Sequence, residues 1–124
     1  MNENLNNRLF KFAVKILRFL PKLPKTHEMS VVRYQLAKNS SSSGANYEEA
    51  QAGSSKPDFN NKVRISLREM RESNYWLRII KSSFKLVPSQ FSKLEFLIKE
   101  SNELKNILGS IIVKSKKKNL NNKV

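Results

Sequence analysis

Five cations in the first part of the chain recur at the spacing of one helix face. They are Arg8, Lys11, Lys15, Arg18 and Lys22. Their intervals of three, four, three and four residues would place all five along one stripe of a helix. No acidic residue follows Glu3 in this segment, whereas a solvated face usually alternates in sign. A stripe of this kind suits sequence-independent binding of phosphates, because each neutralised phosphate releases counterions.

A second cationic series lies later in the chain, in nearly one helical phase. It comprises Arg64, Arg68, Arg71, Arg78 and Lys85, with Lys81 beside it, and C-terminal lysines such as Lys116 and Lys117 add to it. With 24 Lys and Arg against 10 Asp and Glu, the net charge of +14 attracts anionic partners and says little about the fold. No helix-turn-helix or RNA-recognition signature accompanies the cations, so base-specific contacts are not predicted. The alternative interpretation is that both series are only solvated faces.

Three glutamates, Glu49, Glu69 and Glu72, could suggest a carboxylate-bridged metal site in a helical bundle. Such a site ordinarily needs four carboxylates and two Glu-x-x-His pairs, and the single histidine, His27, follows no glutamate at that spacing. We therefore predict a polar network between two helices, in which Arg, Tyr or Asn side chains satisfy the carboxylates. The sequence has no nucleophile–base pair, no Gly-rich phosphate loop and no cysteine. We predict a protein that is not an enzyme and holds no metal or cofactor.

Apolar periodicity predicts the helices that position these side chains. Four amphipathic helices are expected near residues 5–20, 26–52, 57–84 and 90–113. Because their connections are short, we predict an all-α, antiparallel up-down-up-down four-helix bundle over residues 1–113. Residues 114–124 carry lysines and no acid, and they are expected to form a disordered basic tail.

Each predicted helix directs a set of residues inward. The sets include Leu5, Leu9, Phe12, Ile16 and Leu20 in the first helix; Val32, Leu36, Ser43, Tyr47 and Ala50 in the second; Phe59, Val63, Leu67, Met70, Asn74, Leu77 and Phe84 in the third; and Phe91, Leu94, Leu97, Leu104, Leu108 and Ile111 in the fourth. In the second helix, Gly44 and its small neighbours would allow another helix to approach closely. Glycine costs up to about 1 kcal/mol in a helix, so a break near Ser42 is the alternative.

The chain contains no apolar run near the roughly 20 residues needed to cross a bilayer. Cations interrupt every candidate signal-peptide core. We predict a bacterial cytoplasmic protein. An amphipathic helix over residues 11–25 could instead lie on an anionic membrane, but the bundle needs that apolar face for its core, and we predict no membrane partner.

Two blocks of sequence carry a family resemblance. They read SSSSGANYEEAQ at residues 40–51 and SKPDFNNKVRISLREMRESNYWLRII at residues 55–80. Together with a last helix rich in Leu, Glu and Lys, they resemble the four-helix bundle protein family. Its members are often encoded in intervening sequences of bacterial 23S ribosomal RNA genes and are sometimes labelled S23 ribosomal proteins. The residues at family-motif positions, expected to be structural, include Ser43, Asn46, Glu49, Glu69, Glu72, Tyr75 and Trp76.

The resemblance implies a bundle that assembles as a ring, typically a homopentamer. It also implies kinship with the accessory protein of diversity-generating retroelements, a basic ring that binds nucleic acid and a reverse transcriptase. The residues support an oligomer independently, because a lone bundle of this length buries limited apolar area and four apolar residues lie off the main stripes. These are Phe10, Phe19, Ile79 and Phe96.

Two functional hypotheses follow. The first is an oligomer that binds RNA or DNA with low sequence specificity through the two cationic series and the tail. The second is a structural or scaffolding oligomer whose charge serves solubility or docks a protein partner, such as a reverse transcriptase.

Overall fold

The computed structural model describes residues 3–53, 55–83 and 85–122. It contains four α-helices: α1 (Leu5–Phe19), α2 (His27–Ala50), α3 (Lys56–Ser83) and α4 (Pro88–Asn122). A short 3-10 turn, Leu20–Lys22, follows α1. Consecutive helices pack against each other and α1 also packs against α4, so α1 and α3 occupy diagonal corners of a four-helix bundle. The predicted all-α bundle is confirmed.

The helix starts follow local capping chemistry. Asn4 caps α1, since its Oδ1 accepts a hydrogen bond from the Asn7 backbone N–H at 2.8 Å. Thr26 caps α2 as its sequence position suggests, accepting from the Met29 N–H at 3.2 Å. α4 begins at Pro88, two residues before the predicted start, where a proline loses no helical hydrogen bond. The predicted end of the third helix, Phe84, lies outside the described residues.

The C-terminal prediction is corrected by the length of α4. This helix continues to Asn122, so the predicted helix end at residue 113 and the disordered tail from residue 114 are wrong for residues 114–122. Lysine is a good helix former, and no Gly or Pro follows residue 113. Ser115 Oγ also donates to Asn60 Oδ1 at 2.6 Å, which ties the extension to α3. Residues 123–124 lie outside the described residues.

The core agrees with the predicted inward faces at most positions. The buried members include Leu9, Phe12, Ile16, Val32, Leu36, Tyr47, Ala50, Val63, Leu67, Met70, Leu77, Leu94, Leu97, Leu104 and Leu108. Phe91 is an error: it is 40% exposed because the first turn of α4 lies at the end of the bundle. Ile111 is half-buried, and its neighbour Ile112 takes the buried position. Among the described helices, none combines the length and apolarity needed to cross a membrane.

The small residues of α2 receive α1 at close range. α2 is continuous through Ser42, so the alternative of a break there is wrong. A Cβ placed on Gly44 would lie 3.5 Å from Leu9 Cβ and 3.6 Å from the Leu9 carbonyl carbon. A methyl group therefore fits at this position, and a larger branched side chain does not.

We expect Gly44→Ala to preserve or raise the free energy of unfolding, by up to about 1 kcal/mol, because Ala is the better helix former. Gly44→Val should lower it by about 1–3 kcal/mol relative to Gly44→Ala, since a branched Cβ would press on Leu9. Urea unfolding followed by circular dichroism, at one protein concentration, measures both changes.

Gly109 provides the control, because a Cβ there meets nothing within 4 Å. The free energy of unfolding of Gly109→Val should be lower than that of Gly109→Ala only by the difference in helix propensity, roughly 0.5 kcal/mol. An equal difference between the Val and Ala variants at residues 44 and 109 would show that α1 does not constrain residue 44.

Candidate nucleic-acid interface

The cations of α1 face the neighbouring helix α4. Arg8 Nη2 lies 2.6 Å from Glu100 Oε1 and 3.3 Å from Glu103 Oε1. Lys15 Nζ lies 4.3 Å from the ring centroid of Phe96. All three partners belong to α4, so Arg8 and Lys15 of the first predicted stripe line the α1–α4 side of the bundle.

Three members of that stripe differ from the expected free cations. The Arg8 side chain is only 19% exposed, and its hydrogen bond to Glu100 raises the pKa of the Arg8 guanidinium. Arg8 is therefore a cross-link between α1 and α4. Lys11 Nζ pairs with Glu3 at 2.5 Å. Lys22 lies on the 3-10 turn after α1, which ends at Phe19 before Pro21, so it does not continue the helical stripe.

The remaining cations of α1 line a surface cleft of 290 Å³. We call it the α1–α4 cleft; its lining residues are Lys15, Arg18, Phe19, Lys93, Phe96 and Leu97. Phe19 and Leu97 are buried and form an apolar floor, while Phe96 is partly exposed. Within the described residues, no carboxylate forms an ion pair with Lys15, Arg18 or Lys93.

Two arginines of α3 line a second cleft, of 480 Å³, on the other side of α4. We call it the α3–α4 cleft; Arg71, Asn74, Arg78, Lys105 and Asn106 are among its lining residues. The buried Asn74 accepts a hydrogen bond from Arg78 Nε at 2.9 Å. It donates to Ser101 Oγ at 2.9 Å, which fixes the amide and so orients the guanidinium. The floor of this cleft is polar, unlike that of the α1–α4 cleft.

The other predicted cations are spread along the surface. Arg68 Nη2 lies 3.5 Å from Glu69, and Lys81 Nζ lies 2.8 Å from Glu95 on α4. Exposed cations also occur at the start of α3, after its end and on the C-terminal extension of α4. These are Arg64, Lys85, Lys116 and Lys117.

Members of both cationic series therefore lie beside α4, which runs between the two clefts. Its glutamates neutralise Arg8 on one side and Lys81 on the other, and its lysines add to both clefts. Sequence reasoning missed Lys93 and Lys105 because α4 mixes both signs of charge. These two lysines are identified only when it is known which helices are neighbours, and the residue pattern of a single helix does not contain that information.

The predicted polar network between α2 and α3 is confirmed for Glu69 and Glu72, with a donor that the sequence patterns did not indicate. Asn39 Nδ2 donates to Glu69 Oε2 at 2.6 Å and to Glu72 Oε2 at 2.9 Å. Asn39 and Glu69 are both buried. Asn46, a family-motif position, instead donates within α2, to the Ser42 carbonyl at 2.9 Å. Glu49 lies exposed near the end of the same helix.

Two serines link α2 and α3 reciprocally. Ser43 Oγ donates to the Ser66 carbonyl at 2.8 Å, and Ser66 Oγ donates to the Ser43 carbonyl at 2.7 Å. Both side chains are fully buried, so the two backbones approach closely here. Ser43 was predicted as an inward residue, and Ser66 was not recognised as its partner.

The aromatic pair of α3 divides between core and surface. Trp76 packs against the core, while Tyr75 is exposed and meets it edge to face with ring centroids 5.7 Å apart. His27 is the exposed first residue of α2. Across the described residues, no group of three or more His, Asp or Glu side chains could hold a metal ion.

Comparisons with known proteins identify relatives. The sequence matches the family model of the 23S rRNA-intervening sequence protein over residues 3–110. The chain is also similar to a protein of unknown function from the S23 ribosomal protein family of Bacteroides thetaiotaomicron VPI-5482, known from a crystal structure at 1.70 Å resolution. The two are 30% identical, with a TM-score of 0.76, over 88% of this chain and 98% of that chain. A comparison with curated proteins gave no significant match.

The structural role of Arg8 is testable by substitution. We expect Arg8→Gln to lower the free energy of unfolding by about 1–3 kcal/mol, since it leaves the largely buried Glu100 carboxylate without its charged partner. Arg18→Gln should stay within about 0.5 kcal/mol of the parent, because Arg18 is exposed and unpaired among the described residues. Thermal and urea unfolding measure both. Equal effects of the two variants would mean that the Arg8–Glu100 pair does not hold α1 to α4.

Proposed function

The chain belongs to the 23S rRNA-intervening sequence protein family, and from that premise we propose that it is a non-enzymatic, oligomeric bundle that binds RNA or DNA with low sequence specificity. The observation that carries this proposal is that cations of both series line the two clefts beside α4. The binding surface is then the two clefts and the helix between them.

The distribution of charge supports phosphate as the ligand. Three cations of the α1–α4 cleft have no ion pair within the described residues, and the same holds for Arg71 and Lys105 in the α3–α4 cleft. Uncompensated cations on adjacent grooves create a continuous positive potential, which a polyanion satisfies along its length. The lysine-rich extension of α4, including Lys116 and Lys117, lengthens that surface.

The α1–α2 side supports the oligomeric part of the proposal. Phe10 is 67% exposed there and Leu17 is also exposed, beside a groove that reaches Gly44 and Ala45 of α2. An apolar strip of this kind suits contact with a second copy. Of the other residues expected to need a neighbour, Phe19 is already buried within the chain and Ile79 is half-buried.

The proposed oligomer contact is compatible with the proposed binding surface. In the bundle, the α1–α2 side is opposite the α3–α4 side, so assembly through Phe10 and Leu17 leaves the α3–α4 cleft uncovered. A ring, which the family resemblance implies, would repeat the clefts and raise modest affinity by avidity.

The second candidate is a scaffolding oligomer that docks an acidic protein partner, with a reverse transcriptase as one candidate. The same unpaired cations favour it, since carboxylates and phosphates share charge. The two functions predict different affinities for nucleic acid when no protein partner is present. Only the first predicts an affinity that falls steeply as the salt concentration rises, and the following experiment measures it.

We expect the double variant Arg18→Gln/Arg71→Gln, with one change in each cleft, to bind RNA and DNA of mixed sequence more weakly by a similar factor for every sequence. The slope of log affinity against log salt should fall by up to about 1.8 on duplex DNA, or roughly 0.9 for each phosphate that the variant no longer neutralises. Fluorescence anisotropy over a salt series provides the measurement.

The double variant Lys25→Gln/Lys38→Gln is the matched control. It removes the same charge from exposed positions before and within α2, neither of which lines either cleft. Equal losses of affinity for the two double variants would show that net charge, and not the clefts, determines binding. Parent protein that binds no nucleic acid would favour the scaffolding candidate.

The oligomer contact is tested by Phe10→Glu/Leu17→Glu. We expect the assembly to dissociate into folded monomers of about 14 kDa, because the introduced carboxylates cannot be buried unpaired. Light scattering gives the mass and circular dichroism checks the fold. A parent protein that is already monomeric at micromolar concentration would refute this part of the proposal.

A further inference from the structure

We propose that the α1–α4 cleft accepts an unpaired base on the Phe96 ring, so that the protein prefers single-stranded over double-stranded nucleic acid. This inference rests on the proposed function and adds the class of nucleic acid. It follows from what distinguishes this cleft from the α3–α4 cleft.

The first distinction is an exposed aromatic ring at the mouth of the cleft. Phe96 is 47% exposed, although it lies next to a floor of buried Phe19 and Leu97. The α3–α4 cleft has no aromatic lining residue among those described and carries asparagine amides instead. Aromatic rings within a cationic groove are the means by which proteins bind single strands without reading sequence, because every base has a π-face.

The second distinction is where the cations lie relative to the ring. Lys15, Arg18 and Lys93 surround Phe96 from two helices, and none has a carboxylate partner within the described residues. A strand can then place its phosphates on the cations while a base enters above the apolar floor. The bases of a duplex are paired and stacked inside it, so a duplex can offer this cleft only phosphates.

The ammonium group of Lys15 lies over the Phe96 ring. Its Nζ lies 4.3 Å from the centroid, a cation–π contact of an exposed lysine. An incoming strand can replace both sides of this contact, because a phosphate oxygen pairs with the Lys15 ammonium and a base stacks on the Phe96 ring. The lysine stem is flexible enough to move aside without any change in the helices.

A second phenylalanine of α4 offers an internal comparison. Phe91 is also partly exposed, and Lys81 Nζ lies 5.8 Å from its ring centroid. However, Lys81 is neutralised by Glu95 at 2.8 Å, so this ring lies beside a compensated charge. Phe91 does not line the α1–α4 cleft. The same substitution at residues 91 and 96 therefore separates loss of a ring from loss of this particular site.

The test measures binding of a labelled 12-nucleotide oligothymidine and of a 12-base-pair DNA duplex by fluorescence anisotropy at low salt. We expect the parent to bind the single strand more tightly. Phe96→Leu, which keeps apolar volume and removes the π-face, should lose about tenfold in affinity for the single strand, within the range of one stacked base. Its affinity for the duplex should stay within about twofold, because phosphate contacts are retained.

Two further variants keep the test specific. Phe96→Tyr retains a ring and should restore single-strand affinity to near the parental value. Phe91→Leu should leave both affinities unchanged, and circular dichroism checks that every variant is folded. Wild-type affinity of Phe96→Leu for the single strand would overturn the inference, as would an equal loss on both ligands. In either case the proposed function would stand. Parent protein that binds neither ligand would instead overturn the proposed function, and the inference with it.

Discussion

Burial of the Glu69 carboxylate between α2 and α3 is the constraint on which the bundle depends. A buried charge is costly unless hydrogen-bond donors surround it, so Asn39 must stand opposite Glu69. That requirement sets the register of α2 against α3, and the reciprocal bonds of Ser43 and Ser66 repeat it about one turn further along. With the central pair in register, α1 can pack over Gly44 and α4 can close the bundle against α1 and α3.

The small number of acids also determines where positive potential remains. Ten carboxylates face 24 cations, and several are committed to structural contacts. Glu69 and Glu72 hold Asn39, while Glu95, Glu100 and Glu103 pair across the edges of α4. Among the uncompensated cations, Lys15, Arg18 and Lys93 line a groove with an aromatic ring and an apolar floor, whereas Arg71 and Lys105 line a groove with fixed amides. In the sequence, both grooves appear only as similar patterns of positive charge. The packing of the helices gives the two grooves different surroundings.

Periodicity in the sequence was sufficient for the helices and for most of the core, because burial of an apolar stripe is a property of one segment. The inward position of the polar Asn74 was accessible for the same reason. Contacts between segments were not. The partners of Arg8, Glu69 and Ser43 depend on which helices are neighbours, and the membership of Lys93 and Phe96 in one cleft depends on the packing of α1 against α4. The sequence pattern did not predict that α4 continues past residue 113, because a run of lysines without acids also suits a disordered tail. Lysine is nonetheless compatible with a helix.

The unbroken course of α4 has a mechanical consequence. Its 35 residues correspond to a rod of about 52 Å, most of it clamped between α1 and α3. A pull on its lysine-rich end is transmitted along the axis, because the helix has no proline after its first residue to act as a hinge. The load then reaches the Ser115–Asn60 bond and, further along, the contacts of Glu100 and Glu103 with Arg8. Tension applied at one end of the molecule is therefore borne by the seams that α4 forms with α3 and with α1, not by the loops.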